Sequence, residues 1–335
     1  MQRLILLSLL FAFENDLMLD AGKPIVIAHR GASGYLPEHS LAAKALAYGQ
    51  GADFLEQDVV LSKEGIPVVL HDIHVDTVTD VATVFPERKR DDGRYYAIDF
   101  TLAELKQLHL NERIDLKTGK RVFPDRFPAG QSSFRIPTLA EEIKFIQGLN
   151  ASTGKKVGIY PEIKKPAWHK QQGQDISLIV LKILQQFGYT NKDHNVFLQC
   201  FDPIETRRIR EELKCRLKLV QLIGSNSWKE ADIDYDTLRT AAGIKLIAEY
   251  ADGIGPGMPH IVTGRDADGK PIITDLVKNA HAAGLVVHPY TFRKDDLPDY
   301  AATFDEAMTI FCHQANIDGL FTDFPDLAVK FREQN

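Results

Sequence analysis

A chain of 335 residues that is 44% hydrophobic and 26% charged carries enough apolar mass for a packed core, which excludes global disorder. A formal charge of -6 excludes the basic face needed to track a nucleic-acid backbone, while leaving room for a local basic pocket that holds one small anion. Cys200, Cys215 and Cys312 show no Cys-x-x-Cys spacing and leave one thiol over from any pairing, so they read as buried or free thiols.

The N-terminus begins Met1-Gln2-Arg3 and continues as an apolar run from Leu4 to Phe13, broken only by Ser8. A charged start and a short apolar core read as a secretory signal over residues 1–21, too short to span a bilayer as a helix. The expected location is periplasmic or secreted, or cytoplasmic if the run is instead a packed N-terminal helix. The folded unit then occupies 22–335, with no stable membrane insertion and an oligomeric state that the sequence leaves open.

The first strand, Ile25 to Ala28, is apolar throughout, as suits a strand buried on both faces, and ends in His29-Arg30-Gly31. Pro37-Glu38-His39-Ser40 introduces a helix from Leu41 to Gln50. Phe54 to Leu61 is a strand carrying Glu56 and Asp58 on one face and Gln57 on the other, because strand side chains alternate. A turn at Lys63-Glu64-Gly65 leads into a short strand that ends at His71-Asp72.

From about 73 to 135 the pattern weakens. This stretch holds a mixed-charge run from Pro86 to Arg94, read as a solvated face, a capped helix from Thr101 to Leu110 and a Phe/Pro-rich loop. A structureless loop this long is uncommon inside a compact domain, so it reads as an inserted subdomain over one mouth of the main fold. Helical and strand-like segments then alternate. Thr138 to Gln147 is a helix, and the next strand ends in Pro161-Glu162-Ile163-Lys164. Helices follow at Asp175 to Phe187, Pro203 to Leu213, Tyr235 to Tyr250, Asp275 to Ala283 and Phe304 to His313.

Strands that open a βα unit end near Ala28, Val60, Glu162, Phe201, Leu222, Gly255, Tyr290 and Asp323. Eight such units predict a (β/α)8 TIM barrel with an inserted capping subdomain after the second strand. No Gly-x-Gly-x-x-Gly turn follows any strand, which disfavours a doubly wound sheet.

In a barrel, His29, Arg30, Glu56, Asp58, His71, Glu162 and Lys164 gather at the C-terminal mouth. Three converging carboxylates repel unless a positive group lies among them, and an all-oxygen ligand set suits Ca²⁺ or Mg²⁺ better than zinc. A salt-bridge network through Arg30 and Lys164 is the other reading of the same acids. Two imidazoles, basic side chains and a hard cation describe phosphoryl transfer, in which histidine both accepts and donates protons near neutral pH.

The ordered set His29-Arg30-Gly31, Pro37-Glu38-His39-Ser40, Glu56-x-Asp58, His71-Asp72, Pro161-Glu162-Ile163-Lys164 and Thr322-Asp323-Phe324-Pro325 resembles the glycerophosphodiester phosphodiesterase family. Asp92 to Phe100 and His288-Pro289-Tyr290-Thr291 further resemble its bacterial periplasmic branch. The resemblance implies that Glu56, Asp58 and Glu162 bind one divalent cation, Ca²⁺ ahead of Mg²⁺. It also implies that His29 and His71 form the acid/base pair and that Arg30 and Lys164 contact phosphate. Tyr290 and Phe201 are further candidates for the substrate pocket, although strand-end aromatics also serve as core. The implied reaction is hydrolysis of a small glycerophosphodiester, such as glycerophosphocholine or glycerophosphoethanolamine, to sn-glycerol 3-phosphate and an alcohol. The expected route is attack by the glycerol's own hydroxyl, giving a cyclic phosphate that water opens. The alternative is a surface binding protein that keeps the barrel and has given up turnover.

Overall fold

The computed structural model describes residues 23–130 and 132–335. The signal read at 1–21 lies outside them. Eleven strands occur among the described residues: β1 Ile25–Ala28, β2 Phe54–Leu61, β3 Pro67–Val69, β4 Gly158–Ile163, β5 Phe197–Cys200, β6 Lys218–Ile223, β7 Gly253–Pro256, β8 Val262–Arg265, β9 Pro271–Ile273, β10 Val286–Val287 and β11 Gly319–Thr322. Eight of these pair in parallel in the order β10, β7, β6, β5, β4, β2, β1, β11. Backbone bonds close the ring: Asp318 N donates to Val287 O at 3.1 Å, Phe321 N to Pro289 O at 3.0 Å and Phe292 N to Phe321 O at 2.8 Å. The result is the expected TIM barrel. β3 lies antiparallel to β2 as a hairpin, and β8 with β9 forms a second hairpin.

Strand alternation sorts each strand's residues between lumen and helix layer. Ile25, Ile27, Phe54, Tyr160, Phe197, Val220 and Phe321 form one apolar cluster that plugs the lumen. Tyr160 stacks on Phe197 at 5.0 Å and meets Phe321 edge-on at 5.0 Å. Alternate residues such as Val26, Ala28, Leu55 and Val59 join the layer under the surrounding helices. Continuing the inward set toward the strand ends leads from Ile27 to His29, from Phe54 to Glu56 and Asp58, from Tyr160 to Glu162 and Lys164, and from Phe197 to Gln199 and Phe201. The aromatic plug is thus the floor beneath a polar mouth.

The segment between β3 and the helix Leu139–Thr153 builds its own core from Val75, Val78, Phe100, Leu105, Leu108, Leu110 and Ile136. Its charge run is the largely exposed face read in the sequence, and three of its arginines are also anchored by acids of the insertion. Arg88 pairs with Glu104 at 2.6 Å, Arg90 with Asp99 at 2.7 Å and Arg94 with Asp76 at 2.8 Å, so these arginines staple the insertion together. The helix expected over Thr101 to Leu110 covers only Leu102–Leu105, because His109 and Leu110 leave it to form β-bridges with Arg135 and Thr79. Tyr235 to Tyr250 is likewise two helices, Tyr235–Leu238 and Ala241–Ile247, with Thr240 capping the second by accepting from Gly243 N. A Cβ on Gly243 would stand 2.2 Å from Thr237 O, a crowding that only glycine relieves at this junction.

Candidate active site

β1 ends where His29 N donates to Thr322 O at 2.9 Å, and the chain then turns through Arg30 at φ 60° and Gly31 at φ 90°. A Cβ at Gly31 would meet the Ala43 carbonyl carbon at 2.8 Å, so glycine is what lets the turn lie against the helix Leu41–Gly49. His29 Nδ1 lies 2.5 Å from Asp323 Oδ1, just beyond the end of β11. Arg126 and Arg293 donate to Asp323 Oδ2 at 2.8 Å and 2.6 Å. Burial would raise the Asp323 carboxyl, but Arg293, His29 and Arg126 together hold it well below the usual carboxylate range. Burial and the Arg30 charge push His29 down to about 4, against the pull of Asp323.

His71 stands beyond the end of β3, whose path continues as Leu70 N donates to Asp58 O at 2.9 Å. Its Nδ1 lies 2.7 Å from Asp72 Oδ1, and Arg113 fixes Asp72 by donating to Oδ2 at 2.6 Å. An ionised carboxylate only accepts, so each imidazole carries its proton on Nδ1 and presents an Nε2 lone pair. His29 Nε2 is 3.9 Å from Glu56 Oε2, and His71 Nε2 is 3.3 Å from the Nζ of Lys164, which pairs with Glu162.

Glu56, Asp58 and Glu162 each offer a carboxylate oxygen within 4.8 Å of the others. Register explains the meeting, since Asp58 pairs with Glu162 between β2 and β4, and Glu162 with Gln199 between β4 and β5. Gln199 Nε2 donates to Glu56 Oε1 at 3.0 Å, and the Arg30 backbone N donates to Glu56 Oε2 at 2.8 Å. Lys164 pairs with Glu162 at 2.7 Å, and His39 with Asp58 at 2.8 Å. Burial and the Asp58 charge push Glu56 up to about 8. Burial also raises Glu162, and the attraction of Lys164 does not undo it. Asp58 Oδ1 is buried with no hydrogen-bond partner. An orphaned carboxylate oxygen beside two acids that resist ionising fits a hard cation held among these three side chains.

All nine sequence-predicted site residues come together here. Arg30 reaches the cluster, with Nε 3.4 Å from Asp58, and pairs with Glu38 at 3.1 Å. Phe201 and Tyr290 line a cavity of about 530 Å³ that also holds the acids, their rings 5.9 Å apart. Sequence reasoning named Asp72 and Asp323 only as parts of motifs, and in the structure each accepts from an imidazole Nδ1. It missed Arg113, Arg126 and Arg293, whose only sequence signal was membership of charged loops. It also missed the buried group beneath, where Lys44 donates to the Glu56 carbonyl and stands 3.3 Å from Glu142 and 3.4 Å from His39.

A closed (β/α)8 barrel with acids, imidazoles and basic side chains at its C-terminal mouth defines a TIM-barrel enzyme. Residues 29–327 match the Glycerophosphoryl diester phosphodiesterase family, and the chain belongs to it. It is 47% identical over 324 residues to a glycerophosphodiester phosphodiesterase of Haemophilus influenzae, covering 92% of this chain and 89% of that protein. The fold recurs in a crystal structure from Silicibacter pomeroyi, with a TM-score of 0.70, 22% identity and 93% and 94% of the two chains covered. It recurs again in an Oleispira antarctica phosphodiesterase solved in complex with the product sn-glycerol-3-phosphate, with a TM-score of 0.62, 21% identity and 93% and 98% covered.

Proposed function

We propose that this enzyme hydrolyses small glycerophosphodiesters, among them glycerophosphocholine and glycerophosphoethanolamine, to sn-glycerol 3-phosphate and an alcohol, with a divalent cation and the pair His29 and His71. The observation that carries the reading is the matched setting of the two imidazoles. Each has Nδ1 held by an aspartate, with Nε2 beside Glu56 in one case and beside Lys164, the partner of Glu162, in the other. Glu56, Asp58 and Glu162 would hold the cation, Ca²⁺ in preference to Mg²⁺, which supplies Lewis-acid stabilisation of phosphate charge.

Arg30 and Lys164 bind the phosphate and offset the charge that shifts onto its oxygens. The acids, Phe201 and Tyr290 share the larger cavity, so that cavity takes the glycerol arm. One Nε2 removes the proton of the glycerol 2-hydroxyl as its oxygen bonds to phosphorus. The other imidazole, cationic once the phosphate anion is bound beside it, delivers its Nε2 proton to the departing oxygen as the bond from phosphorus to the alcohol breaks. Water then opens the cyclic phosphate with the proton roles reversed, so that one water is consumed per diester. Attack from within the substrate has the proximity advantage that a free water lacks. The run from Leu4 to Phe13 supports export of the enzyme, where it would meet diesters outside the cytoplasm.

Release of sn-glycerol 3-phosphate from glycerophosphocholine tests the reading. The expected result is turnover with added Ca²⁺ and none in excess chelator. Full activity in chelator would remove the cation from the mechanism.

A further inference from the structure

Two cavities meet at the catalytic pair. Beside the larger one lies a second of about 260 Å³, and His29, Arg30, His71 and Arg293 border both. A phosphodiester has two arms on one phosphorus. With the glycerol arm among the acids of the larger cavity, the departing alcohol occupies the smaller one. The insertion builds much of that chamber's wall, through Glu112, Arg113, Val122, Phe123 and Arg126.

The chamber's charges are mostly spent on one another. Glu38 is paired with Arg30 and Arg113, and Asp323 with Arg126 and Arg293. Glu112 is the exception: it is 4% exposed, makes no salt bridge among the described residues, and has an Oε2 with no hydrogen-bond partner. A buried acceptor left in this state costs free energy until a donor reaches it. Phe123, the chamber's one phenyl ring among the described residues, already carries the Arg126 guanidinium at 3.7 Å, with that of Arg293 at 5.6 Å. The ring is thus already engaged by a guanidinium, and a quaternary ammonium, recognised through aromatic faces, has no N–H to donate to Glu112.

We propose that Glu112 is the specificity residue of the leaving-alcohol chamber, accepting a hydrogen bond from an alcohol that carries a primary ammonium group and favouring it over a quaternary one. The inference rests on the reading of the site given above. Burial raises the Glu112 carboxyl to about 8, and an arriving ammonium would favour its ionised form.

The test compares kcat/KM for glycerophosphoethanolamine and glycerophosphocholine in the Ca²⁺-loaded enzyme and in Glu112→Gln, which keeps the shape and removes the charge. Losing a charge-assisted hydrogen bond is expected to lower the ethanolamine diester about tenfold or more, with the choline diester changing less than about twofold. Equal changes in both, or no change, overturn the proposal. Free ethanolamine and free choline, tested as inhibitors of the wild-type enzyme, give a check that needs no variant to fold. Ethanolamine is expected to compete the better, and equal or reversed potency overturns the assignment. If the wild type cleaves neither diester while inorganic phosphate still binds the site, the proposed function fails, and this inference fails with it. Turnover of both diesters with an unmoved preference in Glu112→Gln sinks the inference alone.

Discussion

Asp323 and His29 are 294 residues apart in sequence and meet with Oδ1 2.5 Å from Nδ1, across the seam where β11 pairs with β1. The contact turns the last strand of the barrel into the support for the His29 imidazole. Asp323→Asn keeps the shape but offers an amide that can donate to Nδ1 and so favour the wrong tautomer. The account expects kcat to fall by roughly 10²-fold or more with KM little changed, by analogy with other carboxylates that orient an imidazole. Steady-state kinetics and the pH profile of kcat/KM check this. A shift in KM alone would assign Asp323 to binding.

Removing the proposed cation ligands one at a time separates binding from chemistry. Glu56→Gln, Asp58→Asn and Glu162→Gln each replace one carboxyl with a neutral amide in a cluster whose oxygens lie within 4.8 Å. Each is expected to weaken cation affinity by about 10-fold or more, measured by the Ca²⁺ concentration that restores activity after chelation. Unchanged affinity in all three variants contradicts the assignment.

Beneath the mouth, Lys44 and Glu142 form a fully buried pair 3.3 Å apart. Lys44→Met leaves Glu142 buried without its cation and is expected to cost about 3–5 kcal/mol in denaturant unfolding. The double variant Lys44→Met with Glu142→Leu is expected to recover much of that loss, because the uncompensated charge is gone. Equal destabilisation in both would show that the Lys44 bond to the Glu56 carbonyl matters more than the ion pair.

Glu112 makes stability depend on pH with a definite sign. Burial raises its carboxyl from an ordinary 4.5 to about 8 in the folded chain. Between those values the folded state holds more protons than the unfolded one, so this group's contribution is present below about pH 4.5 and is lost as pH rises toward 8. Glu112→Gln carries no such titration. The melting temperature of the wild type relative to the variant is expected to fall between pH 5 and pH 8 in ligand-free protein, and a constant difference contradicts this burial effect.

Local signals carried the barrel and its first line of chemistry. Runs such as Ile25 to Ala28 and Phe54 to Leu61 announce buried strands, and alternation alone puts Glu56 with Asp58 on one face. Polar residues just past such strands stand out against the apolar runs, which is why His29, His71, Glu162 and Lys164 were visible. Arg113 and Arg126 were not, because they sit in the insertion, where no period links a residue to the mouth it faces. Their roles come from long-range pairing, Arg113 with Glu38 and Asp72, and Arg126 with Asp295 and Asp323. The ion pairs of the mixed-charge run were hidden for the same reason. Arg88, Arg90 and Arg94 look solvated in sequence, and only folding brings Glu104, Asp99 and Asp76 to them. The single helix expected from Tyr235 to Tyr250 breaks at a local turn, where Gly243 packs closely against Thr237 and Leu238.

The central claim is that His29 and His71 divide one proton transfer between them, and leaving-group dependence tests it most directly. Rates are compared for His29→Ala and His71→Ala on glycerophosphoethanolamine and on a glycerophosphodiester whose leaving group departs without protonation. The account predicts that both variants lose nearly all activity on the first substrate and that only the variant lacking the acid recovers on the second. Wild-type-like rates in either variant on glycerophosphoethanolamine, or equal rescue of both on the activated substrate, would contradict it.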